Sequence, residues 1–124
     1  MAAPQNDLPV LEIHNDILIV RYPAKKIDLK TAMSIVALRK EYAQGRDYPV
    51  MADTRKVKSA TREAREYLSS ADALEGLTAG AILSDSSFSA FIANFFLKVN
   101  RPKMPTRLFT VEENAMKWLE QFKK

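Results

Sequence analysis

The sequence predicts an α/β fold: an N-terminal β-hairpin followed by βαβαβα alternation, giving a mainly parallel, mixed five-stranded sheet with four helices. Three observations carry this expectation. Two β-branched apolar runs flank a short polar turn near the start of the chain. Short apolar runs then alternate with segments of helical period that carry capping residues. Finally, 47% of the 124 residues are hydrophobic, enough to bury a core without disulfides or metal. One domain spanning residues 1–124 is the expected organisation.

The hairpin pairs Val10–His14 with Ile17–Tyr22 across Asn15-Asp16. Asp28 is placed to cap a first helix from about Leu29 to Gln44, closed by Gly45. Leu29, Met33 and Val36 form one apolar stripe of that helix and Ile35, Leu38 and Tyr42 another, so a wide buried face is expected. Tyr48–Asp53 reads as a strand buried on both sides. A basic loop, Arg55-Lys-Val-Lys58, leads to a second helix that starts near Ser59 or Thr61 and runs to about Ala73. The small residues of the next strand, Leu77–Leu83, imply close packing above it. Ser84-Asp-Ser-Ser87 caps a third helix from Phe88 to about Val99, apolar nearly all round. A proline-stiffened connector precedes the strand Thr106–Phe109. Thr110-Val-Glu-Glu113 then has the form of a capping box for a last helix with Val111, Ala115, Trp118, Leu119 and Phe122 inward.

Composition excludes several chemistries. There is no cysteine and one histidine, His14, in the hairpin turn. A thiol nucleophile, an iron–sulfur cluster and a thiolate zinc site are therefore ruled out, and no metal or other cofactor is expected. The opening residues lack the basic region of a signal peptide, and no apolar run reaches the roughly 18 residues of a membrane span. A cytoplasmic protein is expected. The net charge of +4 is spread along the chain and interleaved with acids, so no nucleic-acid partner is expected. Lys98, Arg101, Lys103 and Arg107, the densest basic stretch, offer neither exposed aromatics nor a groove-reading helix.

The ββαβαβαβα order and the ending Leu108-Phe-Thr-Val-Glu-Glu-Asn-Ala-Met-Lys-Trp-Leu119 resemble the SpoIIAA-like proteins, relatives of the STAS domains that act as anti-sigma factor antagonists. The resemblance implies a SpoIIAA/STAS-like fold and, with much of that family unassigned, leaves the activity open. It also implies a serine, phosphorylated by a partner kinase, between Asp53 and Ala64 at the start of the helix after the central strand. The Asp-Ser-Ser-Gly-type turn of the family is absent there, and the nearest hydroxyls, Ser59 and Thr61, serve equally as helix caps.

Sites in parallel sheets form outside the carboxyl ends of the strands. Those ends supply a candidate rim for a ligand or partner: Asp53, Thr54, Arg55, Ser59, Thr61, Ser84, Asp85 and Ser86. Asp53 and Asp85 follow neighbouring strands, where two carboxylates can share a proton or a cation; without supporting ligands, capping and turn roles are the plainer reading. The third helix is the second candidate surface. Burying a large apolar side chain is worth roughly 1.5–3 kcal/mol, so Phe91, Phe95, Phe96 and Leu97 should be covered by a neighbouring helix, a second copy of the chain or a small apolar ligand. The expected function is a non-enzymatic binding or regulatory module acting through protein–protein contact, with a homodimer expected. The alternative is a carrier of a small apolar or lipid-like ligand.

Overall fold

The computed structural model describes residues 8–85 and 103–123. Strand β1 (Val10–His14) is followed by β2 (Ile17–Arg21), a short β3 (Lys26–Ile27) and helix α1 (Leu29–Ala43). Next come β4 (Tyr48–Asp53), β5 (Ser59–Ala60), α2 (Arg62–Leu68), α3 (Ala71–Leu74) and β6 (Leu77–Leu83). Strand β7 (Thr106–Phe109) and helix α4 (Glu112–Leu119) close the fold, with a 3-10 turn over Glu120–Phe122. The main sheet has the order β1-β2-β4-β6-β7. Among the described strands of this sheet only β1 runs antiparallel to its neighbour; β2, β4, β6 and β7 are mutually parallel. This is the mixed, mainly parallel five-stranded sheet that the alternation predicts.

Side-chain alternation along these strands divides the core in two. On one face Leu18, Val20, Tyr48 and Val50 pack with Ile27, Ala32, Ile35 and Ala64 from β3, α1 and α2. On the other, Ile17, Ile19, Met51, Ala79, Ala81 and Leu83 pack with Ala115 and Leu119 of α4. The alanines of β6 let α4 approach closely. On the opposite face Gly80 does the same for Met104: a Cβ there would lie 2.9 Å from the Met104 Cε. Trp118 sits between Phe109 and Phe122, at centroid distances of 5.6 and 4.8 Å, and completes the α4 side. Pro49, fully buried in the central strand, coincides with a shift in the β4–β6 register, where a missing N–H is tolerated.

Four local expectations need correction. The second helix is not continuous: α2 ends at Leu68 and α3 begins at Ala71. The hydroxyls of Ser69 and Ser70 donate to the carbonyls of Glu66 and Tyr67, and the Ser70 oxygen accepts from the Ala73 amide to cap the new helix. Such side-chain bonds compete with helix continuation. Ser59 lies outside this helix altogether and pairs in β5 with Lys26. The buried face of α1 is a single stripe, Ala32, Ile35, Val36, Arg39 and Ala43, while Leu29, Met33 and Tyr42 are exposed. Arg39 earns its place by donating Nη2 to the Ala73 and Glu75 carbonyls, closing the end of α3. Finally, no capping box forms at α4. Val111 occupies the cap position without a side-chain bond and is exposed, and Glu112 is turned toward Arg21 instead. The third expected helix, Phe88 to Val99, lies outside the described residues.

The β1–β2 turn is built from Asn15 and Asp16 at φ values of 55° and 62°. Two left-handed residues make a type I′ turn, whose twist suits a hairpin. The Asn15 amide also donates to Glu120 at 2.8 Å and ties the turn to the end of α4. Asp16 has no such role and sits where glycine is preferred. Asp16→Gly should therefore raise stability by about 0.5–1 kcal/mol, read as an increase of a few degrees in Tm by calorimetry.

Candidate functional site

Strands β2 and β4 end side by side, with Arg21 in register with Asp53. Both residues follow the alternation of Ile17, Ile19 and Met51, so their side chains project to the α4 face. There the Asp53 carboxylate, 7% exposed, receives Arg21 Nη1 at 2.8 Å and Arg55 Nη2 at 2.8 Å on Oδ2. Arg55 Nε at 2.9 Å and the Arg55 amide at 3.1 Å reach Oδ1. Arg21 extends the cluster in two directions, to Glu112 at 2.9 Å and to Glu12 at 3.1 Å. Arg55 meets Glu112 at 3.4 Å. One network thus joins β1, β2, the end of β4, the loop behind it and the start of α4.

Charge state follows from this geometry. Burial alone would raise the Asp53 pKa, but the hydrogen bonds from Arg55 and then Arg21 outweigh it and hold the carboxyl below its usual range. Glu112 is lowered chiefly by its hydrogen bond with Arg21. Arg21 is raised, first through Glu112. Asp53 is therefore an ionised carboxylate saturated by guanidinium donors. A proton acceptor or cation ligand needs free lone pairs, and this carboxylate has committed both oxygens.

Residues 11–123 match the family described as "Domain of unknown function (DUF7793)". The chain belongs to that family. No curated protein matches it. Among solved structures, the DUF7793 chain is similar to an uncharacterised protein with a SpoIIAA-like fold from Shewanella loihica PV-4, with 15% identity, a TM-score of 0.58 and coverage of 90% of this chain and 91% of that one. It is also similar to a candidate anti-sigma factor antagonist from Thermotoga maritima, with 14% identity, a TM-score of 0.63 and coverage of 90% and 94%. The fold is SpoIIAA-like, as the sequence resemblance implies.

The DUF7793 chain gathers some of the residues expected at its strand-end rim and separates others. Asp53 and Arg55 meet in the ion-pair network. Thr54 donates both its amide and its hydroxyl to the Leu83 carbonyl, at 2.9 and 2.8 Å, and so joins the ends of β4 and β6. Thr61 caps α2 by accepting from the Ala64 amide at 3.1 Å. Ser84 is fully buried, with no hydrogen-bond partner on its hydroxyl among the described residues, so it does not belong to the accessible rim. Asp85 is exposed. Ser86 lies outside the described residues, as do Phe91, Phe95, Phe96, Leu97, Lys98 and Arg101. Among the described residues no group of three or more His, Asp and Glu side chains is arranged to hold a metal. No helix among them is long and apolar enough to cross a membrane.

Two features of the site escape sequence reading. Arg21, Glu12 and Glu112 come from three elements distant in the chain. The signal that was available is a single arginine closing an otherwise apolar strand. The second feature is a basic ridge. Pairing of β3 with β5, together with the Lys58 amide donating to the Lys25 carbonyl at 3.2 Å, brings two loops together. Lys26, Lys56 and Lys58 are all exposed on that ridge, beside Arg55, with Asp28 nearby at the α1 cap. On the α4 side the same network borders a groove lined by Glu12, Glu112, Glu113 and Glu120. The rim thus has a basic ridge on one flank and, on the other, the carboxylates of Glu12 and Glu112 paired with Arg21.

Asp53→Asn leaves Arg21 and Arg55 without their shared anion, and should cost about 1.5–3 kcal/mol, the range for hydrogen bonds to charged groups. Because the folded pKa of Asp53 is depressed, its contribution is fully present above the unfolded carboxylate pKa near 4 and is lost as pH falls through the folded value. Denaturant titrations should show the wild type losing stability as pH falls below about 4. Asp53→Asn should lose distinctly less over the same window.

Proposed function

We propose that this chain is a non-enzymatic regulatory module that acts by binding another protein at its strand-end rim. The observation that supports this reading is the Arg21–Asp53–Arg55–Glu112 network with the exposed lysine ridge beside it. Charges of both signs, held in one network by two strand ends, the loop after β4 and the start of α4, suit recognition of a complementary protein surface more than chemistry on a substrate. The same pattern speaks against catalysis, since the most buried carboxylate of the rim is already saturated with donors. Operation in the cytoplasm, as one domain and as a homodimer, belongs to the same reading.

A second reading, the small-ligand carrier, takes its support from an apolar cavity between the sheet and α1–α3. Val20, Ile27, Ile35, Val50, Leu68 and Met104 are among its walls. Its volume of about 150 Å³ decides how far this goes. Ligand pockets span roughly 300–1,000 Å³, so the space suits a single small ring rather than an acyl chain.

Photo-crosslinking separates the two readings. A crosslinking amino acid replacing Lys56, on the ridge, should give a discrete protein adduct in cells, and one replacing Gln44, at the opposite end of α1, should not. Equal adducts from both positions, or none from either, would count against the rim. Native mass spectrometry of the purified chain should show no retained small molecule; a discrete added mass would move the carrier reading ahead.

A further inference from the structure

Strand β1 is an edge of the sheet, bonded to β2 alone among the described strands. The type I′ turn fixes which backbone groups are used. His14 and Ile17 close the turn as a hydrogen-bonded pair, so His14, Glu12 and Val10 direct their N–H and C=O groups to β2. Leu11 and Ile13 direct theirs outward. Exposed apolar side chains also collect here: Leu8, Val10 and Ile13 are 41%, 59% and 38% exposed. The strand has no lysine, interior proline or bulge, the usual guards of an open edge. The opposite edge, β7, is guarded, with Pro105 before it and Arg107 within it, stacked over Phe109 at 5.3 Å.

The geometry points to antiparallel pairing of β1 with β1 of a second copy of this chain, about a two-fold axis at Glu12. Three registers satisfy the outward groups of Leu11 and Ile13. Centring on Leu11 places Pro9, which has no N–H, opposite Ile13. Centring on Ile13 runs Leu11 into the partner's turn at Asn15, whose φ of 55° is not that of a strand. Centring on Glu12 overlaps all five residues. Leu11 then faces Ile13 of the other copy twice on the α1 side, and Val10 faces His14 twice on the α4 side. The only unfavourable contact is Glu12 against Glu12, and there the Arg21 guanidinium, at 3.1 Å, holds each carboxylate toward β2 and neutralises it. Edge pairing of this kind joins two five-stranded sheets into one of ten strands.

Sedimentation velocity and cysteine crosslinking test this. Wild-type chain should associate reversibly to a dimer. Ile13→Lys, a guard placed on a partly exposed position, should weaken association at least about tenfold while leaving the circular dichroism spectrum unchanged. The chain has no cysteine, so single-cysteine variants report the register even if Ile13→Lys folds poorly. In a non-hydrogen-bonded antiparallel pair the Cα atoms lie about 4.5 Å apart, within disulfide range. Glu12→Cys should crosslink to itself on mild oxidation, and Met33→Cys, exposed on α1, should not. A wild type that stays monomeric, a dimer that survives Ile13→Lys, or equal crosslinking from both cysteines would overturn the proposal. None of these outcomes bears on whether the rim binds a protein.

Discussion

A carboxylate almost wholly removed from water at the end of a central strand persists as an ion only where cations are supplied to it, and the Asp53 site is organised around that requirement. Arg21 comes from the neighbouring strand and Arg55 from the turn two residues on. Each guanidinium carries more donors than one carboxylate can accept, so the surplus recruits Glu12 and Glu112. The demand of one buried charge thereby fixes the edge of β1, the path of the loop after β4 and the start of α4. Removing one member of such a pair is costly because the other is left without its counter-charge. The same demand explains the lost capping box. The bond from Arg21 to Glu112 holds the first turn of α4, and Val111 rather than Thr110 takes the cap position.

Away from the rim, the fold rests on matching side-chain size across two faces of one sheet. Strand β6 alternates toward α4 with Ala79 and Ala81 and toward the α1 side with Gly80. Small residues on both faces let Leu119 and Ala115 settle on one side and Met104 on the other. Arg39 shows the limit of apolar matching. It is buried on the inner stripe of α1 with desolvation lowering its pKa, and it is kept there by carbonyls at the end of α3 rather than by a carboxylate. Those carbonyls are open to it because α3 ends there, and the last C=O groups of a helix have no intrahelical partner.

How much of this was legible in the sequence depends on the range of the interaction. Strands Val10–His14, Tyr48–Asp53, Leu77–Leu83 and Thr106–Phe109 follow from period and composition, which are local. Asp28 and Thr61 cap their helices because a cap needs only residues three apart. The break at Ser69-Ser70 was local too, but two serines inside a helical pattern look like a tolerated interruption until their hydroxyls are seen on the preceding carbonyls. The wide face assigned to α1 failed because periodicity cannot distinguish Leu29 and Met33, at the margin, from Ala32 and Ile35, at the centre. At the rim, Asp53, Thr54 and Arg55 were found because parallel topology directs attention to strand ends. Arg21, Glu12 and Glu112 were missed because they are 32, 41 and 59 residues from Asp53 in the chain and meet only through the sheet register. The lysine ridge depends on a two-residue strand pair that no periodicity reveals.

Arg21 also links the two surfaces at which contacts are proposed. At the rim it holds Asp53 and Glu112; along β1 it holds Glu12 off the two-fold axis of the edge pairing. A protein bound at the rim that engaged Arg21 through its own carboxylate would compete with Glu12 for the guanidinium. The released Glu12 side chains would then face one another across the axis, where like charges directly opposite destabilise a strand pair. Coupling of this kind is reciprocal: if the partner weakens the pairing, pairing weakens the partner by the same factor. A single arginine, placed by strand register and surrounded by three carboxylates, thus stands between the two proposed contact surfaces.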